Sequence, residues 1–236
     1  MANLRPLLRR SEFDLAHDSL RDLNLYLHKQ AAQDGVSQIE VKNPDGAHSI
    51  ACGLDADLDV QIHGHVGYYC AGMNKRATVT VNGNAGTGLA ENMMSGRVHV
   101  KGDASQSAGA TGCGGLLIID GNASARCGIA LRGLDIVVKG SVGHMSAFMA
   151  QAGNLVVLGD TGDALGDSLY EARLFVRGNV KSLGSDCVQK EMRDEHKIAL
   201  RKLLDDAGAN ADVADFKRYG SARNLYHFHV DNAGQY

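Results

Sequence analysis

Short aliphatic segments alternate with glycine and small polar residues along most of the chain, on a fixed ruler. The segments VQIHG, VTVNG, VHVKG, LIIDG, IVVKG, LVVLG and LFVRG end at Gly64, Gly83, Gly102, Gly121, Gly140, Gly159 and Gly178. The spacing is 19 residues through seven units, without insertion or deletion. Four residues before each glycine stand Val60, Val79, Val98, Leu117, Ile136, Leu155 and Leu174; two before stand Ile62, Val81, Val100, Ile119, Val138, Val157 and Val176. Aliphatic side chains two apart share one face of a strand, and β-branched residues suit its pleated surface. The pattern predicts a strand before every glycine. Two residues after the glycine the side chains are small or β-branched (Val66, Ala85, Ala104, Ala123, Val142, Thr161, Val180). Seven after, they are all small (Ala71, Ala90, Gly109, Gly128, Ala147, Gly166, Ser185).

A unit of this size cannot close a core alone and must stack on copies of itself. The expected fold is therefore all-β: a single-stranded β-helix of about seven 19-residue coils with helical N- and C-terminal caps. Coils about 4.8 Å apart would make a rod roughly 34 Å long. A left-handed hexapeptide helix repeats every 6 or 18 residues, which 19 does not fit, so a right-handed coil is expected. The repeated glycines are expected at corners with φ > 0. The residue after each (His65, Asn84, Asp103, Asn122, Ser141, Asp160, Asn179) belongs mostly to the polar types that tolerate turns.

Open ends of a β-helix would pair with other chains unless covered. The division expected is 1–38 as an N-terminal helical cap, 39–185 as the β-helix and 186–236 as a C-terminal helical extension and tail. Leu20, Leu23, Leu27 and Ala31 have helical spacing, with Gly35 as a stop; residues 37–59 are expected to join the ladder irregularly. A second helix is expected over 186–207, its apolar stripe running Val188, Met192, Ala199 and Leu203, with a short helix between Asp212 and Gly220 and an edge strand in NLYHFHV. Three residues before each glycine a side chain points outward: Gln61, Thr80 and His99, then Ile118, Val137, Val156 and Phe175, extended by Leu158. Such an apolar outer stripe is covered either by the C-terminal helix folding back or by a partner subunit.

Composition fits a rod. Glycine contributes 29 of 236 residues, proline 2, tryptophan none and aromatics 5%. With 44% hydrophobic and 22% charged residues the chain can bury a core, which excludes general disorder. The net charge is −3 and no basic stripe stands out, so nothing favours a nucleic-acid partner. Cys52, Cys70, Cys113, Cys127 and Cys187 are scattered, without CxxC, and are read as reduced, mostly buried thiols of a cytoplasmic protein. No signal peptide and no apolar run long enough to span a membrane is found.

Chemistry-bearing motifs are sparse. There is no GxSxG, HExxH, P-loop or EF-hand loop. His63-x-His65 brackets the first repeat glycine and His227-x-His229 lies in the tail, but neither pair has a further metal ligand at a recognised spacing. Cys70 and Cys127 share a column three coils apart, too far to share a metal. Met73, Met93, Met94, Met145 and Met149 are read as core fillers. GNAGTG (83–88) superficially resembles a dinucleotide fingerprint, but it is one coil of the ladder. Uniform coils leave no long loop to build a cleft, and no catalytic, cofactor-binding or metal-binding residue is assigned.

The run Gly140-Ser-Val-Gly143-His-Met-Ser-Ala-Phe148, then Gly159-Asp160-Thr-Gly-Asp163-Ala-Leu-Gly166, resembles the GxGxG-motif domain that ends the large subunit of glutamate synthase. Similar domains occur in formylmethanofuran dehydrogenase. As a chain of this length, including HFHVDNAG (227–234), it is most similar to the stand-alone GxGxG subunit of N-methylglutamate synthase. The resemblance covers residues 39–186 and implies a right-handed β-helix that holds catalytic subunits in register and carries no catalytic residue itself. It further implies a class II amidotransferase-like partner and a flavin-binding synthase-like partner bearing FMN and iron–sulfur clusters. The complex would convert glutamate and methylamine to N-methylglutamate and ammonia. The start Met1-Ala2-Asn3 lacks the N-terminal cysteine of a class II amidotransferase, and seven coils are not eight βα units. The competing readings are a β-helix subunit of a glutamate synthase or formylmethanofuran dehydrogenase-type complex, and an independent small-molecule enzyme or binder using His63, His65 and His99.

Overall fold

A computed structural model describes residues 10–224. Its elements are β1 (Glu12–Asp14), α1 (Leu20–Lys29), β2 (Gln38–Lys42), β3 (Asp59–His63), β4 (Thr78–Val81), β5 (Arg97–Val100), β6 (Leu116–Ile119), β7 (Arg132–Val138), β8 (Ala152–Val157), β9 (Arg173–Val176), β10 (Cys187–Lys190), α2 (Asp194–Asp206), a 3₁₀ turn (Val213–Asp215) and β11 (Lys217–Ser221). Strands β2 to β9 stack parallel as the rungs of a β-solenoid of about seven turns, in the expected register: Val60 opposite Val79, Val79 opposite Val98, and on to Leu155 opposite Leu174. Both aliphatic columns are fully buried in one continuous core. The column two residues after the glycine forms a second, narrower ladder from Val66 to Val180.

The corner glycines serve a different purpose from the one expected. Only Gly64 among the seven has positive φ. From Gly83 onward the constraint is close approach between coils. Gly121 N–H donates to Gly102 O at 3.0 Å, and Gly140 N–H to Gly121 O at 2.9 Å. A Cβ on Gly140 would lie 2.6 Å from Gly121 O. Gly143 and Gly162 are confined in the same way, a Cβ on Gly162 falling 2.7 Å from His144 N. Positive φ occurs instead five, seven and nine residues past the corner, as at Met145, Ala147 and Met149. There the hydrogen bonds alternate along the axis: Met145 and Met149 donate forward to Asp163 and Asp167, and Ala147 donates back to Cys127. From Ala71 to Gly166 the small column at the seventh position therefore faces inward in the left-handed region, where a large side chain has neither conformation nor room, whereas Ser185 at the last coil is exposed and outside that region.

This arc also corrects the methionines. Met93 is buried, but Met73, Met94 and Met149 are exposed, since the ninth and eleventh positions face outward while the tenth faces the core.

The ends differ from their expected form. Residues 38–42 join the ladder regularly, Ile39 opposite Val60, with two extra residues in that first turn. Beyond them β1 adds a parallel strand, so the expected long helix shortens to α1. Ser19 caps it by accepting Asp22 N–H at 3.1 Å, and Leu23, Tyr26 and Leu27 cover the first rung. At the other end the predicted helix over 186–207 begins as strand β10, and Gly220 lies inside β11 rather than stopping a helix. β11 pairs antiparallel with β9, and β10 pairs with β11. The unpaired edge of the last rung out-competes local helix propensity. Val188, expected on a buried stripe, is exposed. The short helix after Asp212 is a single 3₁₀ turn. The edge strand expected in NLYHFHV begins at Asn224 and otherwise lies outside the described residues.

The outer apolar stripe is covered by its own chain. Helix α2 lies along the flank, where Leu200, Leu203 and Leu204 pack with Ile118, Val137, Val156, Leu158 and Phe175 in a second cluster. Arg97 pins the far end of α2 through a 2.8 Å bond to Asp206 O.

Candidate functional site

The three histidines singled out in the sequence fall into two separate places. His63 ends β3 on the surface, its Nε2 bonded to the Glu40 carboxylate. His65 follows the corner glycine, and its Nδ1 accepts Asn84 N–H at 2.9 Å, which leaves Nε2 as the protonated nitrogen of the neutral ring. Both line a cleft of about 510 Å³ with Leu15, Ala16 and residues 43–46. Gly64 fits there only as glycine, since a Cβ would meet the Pro44 ring at 2.9 Å and φ is 141°.

His99 lies on β5, two rungs further along, on the outward face. It bonds Asp120 at 2.9 Å, and Lys139 reaches the same carboxylate at 2.8 Å. Burial pushes the His99 imidazole below its ordinary value, with Asp120 opposing. Burial pushes Asp120 up, but its bonds to Lys139 and His99 prevail and hold it low. This is a satisfied ion cluster, with each polar group already paired. Rungs two apart stand about 10 Å from each other, so His99 does not complete a site with His63 and His65. Among the described residues no group of three or more His, Cys, Asp or Glu converges to hold a metal. His227 and His229 lie outside the described residues.

The thiols divide by column. Cys70 and Cys127 are buried, and burial raises both, Cys127 to about 12, so neither is a nucleophile near neutrality. Cys187 is buried too, Cys52 is half-buried and Cys113 is exposed.

Sequence reasoning missed the side-chain ladder beside the corners. His65, Asn84, Asp103, Asn122, Ser141 and Asp160 each accept the backbone N–H of the residue one coil on, at 2.7–3.0 Å. The signal was present as an unbroken column of short acceptors. It also missed an exposed apolar patch on the first coils. Tyr68, Tyr69, Met73 and Met94 are each about half exposed, between 47% and 54%. Met94 N–H bonds Asn74 O, which places Met94 beside Met73 across adjacent coils. Clustered aromatics and methionines of this kind are typical of contact surfaces.

In fold the chain is a β-solenoid of about seven turns. It is 60% identical over 228 residues to Protein GlxC of Rhizobium meliloti (strain 1021), covering 94% of this chain and 98% of the relative. The chain belongs to the GlxC family. No family model matches it. No helix among the described residues is long and apolar enough to cross a membrane.

Proposed function

We propose that this chain is a non-catalytic scaffold subunit of a glutamate synthase-like complex in the cytoplasm, the complex being N-methylglutamate synthase. In this reading it holds a class II amidotransferase-like subunit and a flavin-binding synthase-like subunit together. The complex forms N-methylglutamate and ammonia from glutamate and methylamine, with FMN and iron–sulfur clusters on the partners. The observation that carries the reading is the uniformity of the rod. Seven turns of nearly constant length carry no inserted loop, and their polar groups are spent on holding coil to coil. The patch of Tyr68, Tyr69, Met73 and Met94 offers a surface for docking. The GxGxG resemblance supplies the kind of complex.

Purification of the native assembly tests this. The chain is expected to co-purify with two further subunits and flavin absorbance, and to be colourless and inactive alone. Isolation as a free-standing monomer with turnover of its own would support instead an enzyme working at the His63–His65 cleft.

A further inference from the structure

The end of the rod near α2 carries a charge arrangement that neither the scaffold reading nor the fold requires. A cleft of about 500 Å³ opens between the start of β9, the end of β10, the first turn of α2 and β11. Five cations line it: Arg173 from β9, Lys190 from β10, Arg193 at the start of α2, Arg218 from β11 and Arg223 just beyond. Among the described residues two carboxylates, Glu171 and Glu195, share the lining, and both are engaged. Glu171 pairs with Arg223 at 2.9 Å, and Glu195 with Arg193 at 3.5 Å. Arg173, Lys190 and Arg218 form no ion pair among the described residues. Arg218 makes one bond, donating Nε–H to Glu191 O at 2.8 Å.

This concentration of positive charge stands on a chain whose net charge is −3. Burial together with the neighbouring Arg193 and Arg173 lowers the proton affinity of the Arg218 guanidinium. Like charges crowded on the walls of a recess are stabilised by an anion between them. Guanidinium forks match the paired oxygens of carboxylates and phosphates, and the volume suits a metabolite rather than a lone ion.

We propose that this cleft is a binding site for a metabolite-sized oxyanion carrying at least two negative charges, a phosphate ester or a polycarboxylate. Arg173, Lys190 and Arg218 are its ligands, because they are the lining cations that form no ion pair among the described residues. Arg193 and Arg223, held by Glu195 and Glu171, form the rim.

Calorimetric titration of the full chain at low ionic strength, with pyrophosphate and with citrate as probes, tests the site. At least one probe is expected to bind, and the Arg173→Gln/Lys190→Gln double variant is expected to lose at least about tenfold in affinity. Neither side chain forms an ion pair among the described residues, so the variant should keep its fold, checked by an unchanged circular dichroism spectrum. Lys75→Gln, a surface change paired elsewhere with Asp55, should bind like the parent. Tighter pyrophosphate binding would assign a phosphoryl ligand, and tighter citrate binding a polycarboxylate. No binding of either probe, or equal binding by the double variant, would overturn the proposal.

Discussion

The side chain of Asn122 accepts the backbone N–H of Ser141 at 2.9 Å, while the backbone N–H of Asn122 donates to the Asp103 carboxylate one coil back at 2.7 Å. One residue thus ties three coils together at the corner. The Asn122→Ala change removes the acceptor and should cost about 0.5–1.5 kcal/mol. Asn122→Ser keeps a short acceptor of the kind Ser141 supplies in the same column and should cost less. Urea unfolding with unchanged slope reads the difference as a shift of midpoint; equal midpoints for Ala and Ser would show that the ladder adds no stability.

Beside that ladder Gly140 tolerates no side chain. Its hypothetical Cβ meets Gly121 O at 2.6 Å, in the same place where its N–H makes a coil-to-coil bond. Gly140→Ala should destabilise by about 1–3 kcal/mol as the coils are forced apart. Gly220→Ala, whose nearest neighbour would be Lys190 Cγ at 3.5 Å, should stay within about 0.5 kcal/mol of the parent. Denaturant midpoints of the two variants check the contrast.

One column contains a defect. Thr161 is buried in the ladder of Val66, Val142 and Val180, and its hydroxyl finds no hydrogen-bond partner among the described residues. Thr161→Val replaces an unsatisfied oxygen with a methyl group of similar shape and should stabilise the chain by about 1 kcal/mol. A raised thermal midpoint is the expected result, and a lowered one would show that the hydroxyl is satisfied in solution.

His196 gives the flank helix a dependence on pH. It is buried in the first turn of α2, where Nδ1 accepts Arg193 N–H at 3.1 Å, a bond that only the unprotonated nitrogen can make. Burial, with Arg218 next in weight, lowers its proton affinity in the folded chain. The unfolded chain then holds more protons as pH drops below the ordinary imidazole value of about 6.5. Stability from this group is therefore full above that value and is lost as pH falls towards the lower folded pKa. His196→Gln keeps a cap acceptor without titrating, so its unfolding free energy should fall less than the parent's between pH 7.5 and 5.5. Parallel profiles would contradict the assignment.

Much of the solenoid was legible because its period is rigid. Val60, Val79 and their equivalents announce an inward face directly, and the stripe of Ile118, Val137, Val156 and Phe175 announced something to cover it. The ends were less legible. Residues 12–14 and 187–190 read as parts of helices locally, but an exposed rung supplies unpaired backbone groups that only a strand can satisfy. The purpose of the corner glycines was also hidden, since contact with the coil below is not written in the local sequence; Gly140 needs its hydrogen atom because of Gly121. The cleft of Arg173, Lys190 and Arg218 drew no notice for the same reason. Its cations are spread over more than forty residues and converge only when β11 inserts between β9 and β10.

The central claim is that this chain organises catalysis without performing it. The most direct measurement is turnover of glutamate and methylamine by the assembled complex carrying His63→Ala, His65→Asn and His99→Gln together. Asparagine preserves the acceptor that His65 offers to Asn84, and glutamine preserves a partner for Asp120, so assembly should survive. The scaffold account predicts parental turnover. Loss of turnover in an intact, flavin-loaded complex would contradict it and place chemistry on this chain.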